Sequence, residues 1–190
     1  ANQYSFGELR ITHEQNLVFA DVLERDLYEL WTALDELNLG EPNSGLVSDI
    51  IACPGLDYCN LANARSIPLA QALSEKFGDH ALAEEIGPLS IKISGCVNAC
   101  GHHHVGHIGI LGVSKGDKEF FQLTLGGEAG DAPAIGQRLG RAVAQAEVIQ
   151  QIESIIAHYR EIREPNETFV ACVRRLGVDP FKEVANAVNR

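Results

Sequence analysis

Four of the five cysteines fall in two tight pairs, and no other feature of the sequence restricts the fold as much. The first pair is Cys53-Pro-Gly-Leu-Asp-Tyr-Cys59, a C-x5-C spacing. The second is Cys96-Val-Asn-Ala-Cys100, a C-x3-C spacing, and the run Gly101-His102-His103-His104-Val105-Gly106-His107 follows at once. Each iron of a four-iron cluster takes one thiolate, so two close pairs supply what such a cluster needs. The stretch from Ile51 to Ile110 reads as the centre of the chain, and the rest as scaffold that brings the pairs together.

Rival uses of the cysteines are weighed by spacing and compartment. Structural zinc usually takes C-x2–4-C pairs, which fits the second pair and not the first. Disulfides suit exported chains. The first residues, Ala1-Asn2-Gln3-Tyr4, lack the basic-then-apolar order of an export signal, so a cytoplasmic location is expected. Cys172 stands alone in an amphipathic stretch and reads as a small buried apolar residue. His103 and His107 would need a helix to share a face, and the flanking glycines argue against one. The run reads instead as a polar turn over a cofactor edge, with rings bonded to carboxylates. Acid–base work by one ring stays open, since histidine titrates near neutral pH, and His102, His103, His104 and His107 receive no individual roles.

Composition narrows the partners. The chain has 190 residues, 45% hydrophobic and 22% charged, which is globular. A net charge of -11 argues against nucleic acid and against an anionic membrane surface. No apolar run reaches the about 18 residues of a membrane span. Methionine is absent even at position 1, so the chain is expected to be processed or cut from a longer protein.

Taken in order, Leu9 to Val22 alternates around the polar turn His13-Glu14-Gln15-Asn16 and predicts two strands. Leu23 to Leu39 has helical spacing, stopped by Gly40 and Pro42. The polar stretch Gly40 to Ser48 is the expected boundary, giving a region 1–40 and a region 41–190. A helical pattern from Cys59 or Asn60 to Phe77 carries Pro68 inside it, which predicts a kink or break, and its first turn would point its dipole at a negative cluster. Leu89 to Ser94 predicts a strand delivering Cys96, with Lys92 beside the second pair. His107 to Val113 and Glu119 to Leu125 predict a hairpin, followed by a Gly-rich loop over 126–136. Val143 to Ile162 is the strongest helical pattern, and Thr168 to Leu176 and Pro180 to Val188 predict two short closing helices broken at Gly177. The expected class is α+β, a mixed or antiparallel sheet flanked by helices.

The two pairs, the segment Gly-Cys-Val-Asn-Ala-Cys-Gly and the following His-Ile-Gly-Ile-Leu-Gly resemble the sirohaem-dependent sulfite and nitrite reductase family in its C-terminal part. The resemblance is narrowest to the haemoprotein (beta) components of bacterial assimilatory sulfite reductases. It extends to Leu9–Val22, which resembles the family's ferredoxin-like half-domain, and to the closing segment Arg174 to Lys182. The resemblance implies that Cys53, Cys59, Cys96 and Cys100 hold a 4Fe–4S cluster, with Cys100 also bridging to the iron of sirohaem. It implies six-electron reduction of sulfite to sulfide, or of nitrite to ammonia, with electrons from a flavoprotein or a ferredoxin. It places the substrate-binding cations outside this chain, so no catalytic residue is assigned here, and the piece alone is expected to be inactive. A non-enzymatic zinc or iron–sulfur module is the alternative class.

Overall fold

A computed structural model describes residues 1–130 and 132–187. The chain divides into two compact units, Ala1–Pro42 and Asn43–Arg190.

In the first unit, β1 (Arg10–Ile11) pairs antiparallel with β2 (Leu17–Val18). Thr12 closes the turn: its amide donates to the Asn16 carbonyl, and its hydroxyl accepts from the amides of Glu14 and Asn16. A 3-10 turn, Glu24–Asp26, leads into α1 (Leu27–Asp35). The helix stops before Gly40, where Asn38 takes a left-handed φ of 57°.

The second unit is built on a five-stranded mixed sheet in the order β3-β4-β5-β6-β7. β3 (Ile51–Ala52), β4 (Ile91–Ser94) and β5 (Ile108–Lys115) run parallel, while β6 (Lys118–Leu125) and β7 (Gln137–Arg138) are antiparallel to their neighbours. The β5–β6 hairpin turns tightly at Gly116, whose φ is 61°. Between β3 and β4 lie a single helical turn, α2 (Gly55–Tyr58), then α3 (Ile67–Lys76) and α4 (His80–Ile86). After β7 come α5 (Gln145–Ile162), α6 (Phe169–Leu176) and α7 (Asp179–Ala187), with Gly177 breaking the last two. Val188, the end of the expected last helix, lies outside the described residues.

Period-two alternation sorts the sheet into faces. Ile91, Ile93, Ile108, Ile110, Phe121, Leu123 and Leu125 are buried in the main core with Val148, Ile152, Ile155, Ile156 and Tyr159 of α5 and Leu69 and Leu73 of α3. Lys92, Gly109 and Thr124 stand opposite one another on the other face. Tyr159 is almost fully buried, and its hydroxyl lies 2.7 Å from the Glu167 carbonyl. Tyr159→Phe strands that carbonyl and should lower unfolding stability by about 1–3 kcal/mol, readable as a drop in the urea midpoint.

Two helical expectations are corrected. Pro68 does not kink a longer helix; it sits in the first turn of α3, where a missing N–H costs no hydrogen bond. No helix opens at Cys59 either. The Gly95 carbonyl accepts from the amides of both Asn63 and Ala64, which draws residues 60–66 off a helical path and onto the end of β4. The dipole expected from a helix starting there is therefore absent. α4, capped by Asp79 accepting from the Leu82 amide at 2.7 Å, and the short β7 are additions to the predicted elements.

Candidate metal centre

Parallel pairing of β3 and β4 is what brings the two cysteine pairs to one place. Ala52 stands opposite Ile93, so Cys53 and Cys96 emerge in turn from adjacent strand ends. The Cys53 amide donates to the Ile93 carbonyl at 3.1 Å, and the Gly95 amide donates to Cys53 Sγ at 3.0 Å. The Cys59 loop is tied to the same point through the bonds from Asn63 and Ala64 to the Gly95 carbonyl. The Cys100 turn is tied through the Gly101 amide, which donates to the Ser94 hydroxyl at 3.1 Å. That turn is tight: Ala99 and His102 both take left-handed φ, 57° and 53°, and the His102 amide donates to the Ala99 carbonyl.

All five cysteines are free. Cys53 and Cys96 are buried, Cys59 is half-buried and Cys100 is exposed. Among the described residues, no three His, Cys, Asp or Glu side chains converge as a group able to hold a metal ion. A four-iron cluster instead spreads its thiolates over separate irons. Four free thiols on loops anchored to one strand end, with an amide already directed at one sulfur, fit such a group. Cys172 is apart from them, buried on α6, where burial and the neighbouring Glu167 push its thiol up to about 11.

The histidine run forms a 3-10 turn, His103–Val105, laid on the sheet at Gly109. The Gly136 amide donates to the His104 carbonyl at 2.8 Å, so the turn is held from both sides. His102 and His104 are exposed, and the His103 and His104 rings stack with centroids 4.0 Å apart. His107 matches the expected ring-to-carboxylate bond: Nδ1 accepts from the Ser90 amide at 3.2 Å, and Nε2 lies 3.2 Å from Glu128 Oε2. Nδ1 as acceptor leaves Nε2 to carry the proton and donate to Glu128. Burial holds His107 below its usual value, aided by the charges of Lys92 and Arg174 and opposed by Glu128. Lys92 itself is buried on the second face of the sheet.

His103 is buried, and its Nδ1 has no hydrogen-bond partner among the described residues. Burial, with a smaller contribution from His104, lowers it from 6.5 to about 4. The unfolded chain therefore takes up the proton first as pH falls. Stability should be full above pH about 6.5 and decline until pH about 4. Urea midpoints measured across this window should fall toward acid, and His103→Gln should flatten the descent.

Two contributors lay outside the sequence-based expectations: Ser66, bonded to Cys53, and Ser94, bonded to Gly101. Ser94 could have been found from its position at a strand end two residues before Cys96. Ser66 precedes Ile67-Pro68 and looks like an ordinary helix cap, so its link to Cys53 is legible only in three dimensions.

Residues 45–189 match the nitrite and sulphite reductase 4Fe-4S domain family, and residues 1–37 match the nitrite/sulfite reductase ferredoxin-like half domain. The sulfite reductase [NADPH] hemoprotein beta-component of Bacillus pumilus is 28% identical over 96% of this chain and 32% of its own. That of Bordetella petrii is 34% identical over 86% of this chain and 28% of its own. Sulfite reductase [ferredoxin] 1 of Mycolicibacterium paratuberculosis is 32% identical over 91% of this chain and 33% of its own. The chain thus spans about a third of the length of these relatives. The solved structure of Mycobacterium tuberculosis NirA protein matches with TM-score 0.78 and 26% identity, over 91% of this chain and 33% of that one. The dissimilatory sulfite reductase DsrI matches with TM-score 0.81 and 15% identity, over 96% and 62%, a likeness of fold alone.

Proposed function

This chain belongs to the nitrite and sulphite reductase family, and on that premise we propose that it is the C-terminal part of a sirohaem and 4Fe–4S sulfite reductase, reducing sulfite to sulfide. The observation that carries the reading is the junction of β3 and β4, where the Gly95 amide meets Cys53 Sγ and both cysteine loops are anchored. Cys53, Cys59, Cys96 and Cys100 would hold the cluster, and Cys100, the exposed member, would also bridge to the sirohaem iron. When bound, the two groups would supply one-electron transfer and a Lewis-acidic iron for the substrate anion.

The protein's own residues do the rest. The Gly95 amide fixes the Cys53 sulfur, and the Ser94 hydroxyl fixes the turn that carries Cys100. His107 and Glu128 pin the loop after β6 to the start of β5. With a net charge of -11, this piece is a poor binder for an anionic substrate and for the carboxylates of sirohaem, so the cations for both belong to the remainder of the enzyme. The 190-residue piece alone should not turn over. Residues 1–40 would be part of the half-domain and 41–190 the cofactor domain. Among the described residues no helix is long and apolar enough to cross a membrane, and free thiols in pairs suit a reducing cytoplasm. Electrons would come from a flavoprotein or a ferredoxin; the names of its relatives give NADPH for some and ferredoxin for another.

The full-length enzyme assayed with each anion tests the substrate. Sulfite should give the higher kcat/KM, and a higher value for nitrite would overturn the assignment.

A further inference from the structure

We propose that the Ser66 hydroxyl is a positioning group for the Cys53 sulfur and helps to set the reduction potential of the cluster. The inference rests on the reading that Cys53 is a cluster ligand.

Ser66 stands at the N-cap of α3, where a serine ordinarily accepts from an amide of the first turn. It makes no such bond. Fully buried, it donates instead to the Cys53 carbonyl at 2.6 Å, and its oxygen lies 3.4 Å from Cys53 Sγ. The fold makes room for this. Gly55 has a φ of 58°, and a Cβ there would lie 2.5 Å from the Ser66 amide nitrogen. A helix cap has been given up, inside a closely packed corner, for a contact with one cysteine.

A hydroxyl has one hydrogen and two lone pairs. While Cys53 is a thiol, its S–H can donate to Ser66 Oγ, and Ser66 can donate to the Cys53 carbonyl. On ligation the thiol proton leaves to solvent, and the sulfur can then only accept. Rotation about the Cβ–Oγ bond turns the single Ser66 hydrogen from the Cys53 carbonyl onto the sulfur, so the 2.6 Å bond to that carbonyl is given up for the bond to the thiolate. Cys53 Sγ would then receive two donors, the Gly95 amide and the Ser66 hydroxyl. Hydrogen bonds to cluster sulfurs favour the more negative, reduced state and raise the potential.

The test uses the cluster-loaded protein, purified without oxygen and counted for iron and acid-labile sulfide. Wild type, Ser66→Ala, Ser66→Thr and Ser66→Cys are titrated potentiometrically, with the reduced cluster followed by electron paramagnetic resonance. Ser66→Ala should shift the potential negative, Ser66→Thr should restore the wild-type value, and Ser66→Cys, a weaker donor, should fall between. A purely structural role would change the urea midpoint and leave the potential where it was. A potential for Ser66→Ala equal to or above wild type, with full iron, overturns the role of Ser66 and leaves the cluster reading standing. Zinc without sulfide in the wild type overturns both.

Discussion

Replacing Gly101 by alanine is expected to cost about 3 kcal/mol or more of folding stability and to leave the protein unable to retain a cluster. Gly101 follows Cys100, and its backbone lies directly against β4. A Cβ there would overlap the Ile93 carbonyl oxygen and stand 2.7 Å from its carbon, with the Cys53 amide nitrogen 3.3 Å away. None of these is the far end of a flexible side chain. Relief requires moving β4, whose Ile93 carbonyl already accepts from the Cys53 amide, or moving the turn that holds Cys100. Either movement separates the two cysteine pairs. Urea denaturation and iron content per chain check both halves of the expectation. A variant with the wild-type midpoint and full iron would show that this contact is soft and that Gly101 does not set the distance between the pairs.

Cys100→Ser carries the second large effect, on the cofactors. Cys100 is the exposed cysteine of the second pair, held by a turn with two left-handed residues and anchored by the bond from Gly101 to Ser94. Its backbone is therefore firmly anchored while the residue itself is exposed, which suits the proposed sharing with a second group. On the proposed bridging role, serine at this position in the full-length enzyme should alter the haem and the cluster spectra together, because a hard oxygen would replace a soft thiolate shared by both. In a plain metal module only the metal would be affected. Normal haem–cluster coupling in Cys100→Ser would remove the bridging role.

The sequence was most readable where one period ran unbroken. The alternation of β5 and β6 around the Gly116 turn, and the buried stripe from Val148 to Tyr159 on α5, follow from local pattern alone. The two cysteine pairs themselves were readable, but not the means of bringing them to one place. That depends on parallel β3 and β4, and β3 is only two residues long. The helix expected from Cys59 failed because tertiary bonds outweighed propensity: the Gly95 carbonyl captures Asn63 and Ala64, and the helix starts only at Ile67. Pro68 marked a boundary either way, and spacing alone could not distinguish a kink from a start. The histidine run was correctly a turn, yet its division into a buried His103, a carboxylate-bonded His107 and exposed His102 and His104 depends on contacts with Gly109, Ser90 and Glu128, which are far along the chain.

The most direct measurement is iron, acid-labile sulfide and zinc per chain after purification without oxygen, with a visible spectrum of the same sample. About four irons with matching sulfide are expected, together with the absorption of a cluster held by Cys53, Cys59, Cys96 and Cys100. Stoichiometric zinc without sulfide would contradict that account and place the chain among structural metal modules.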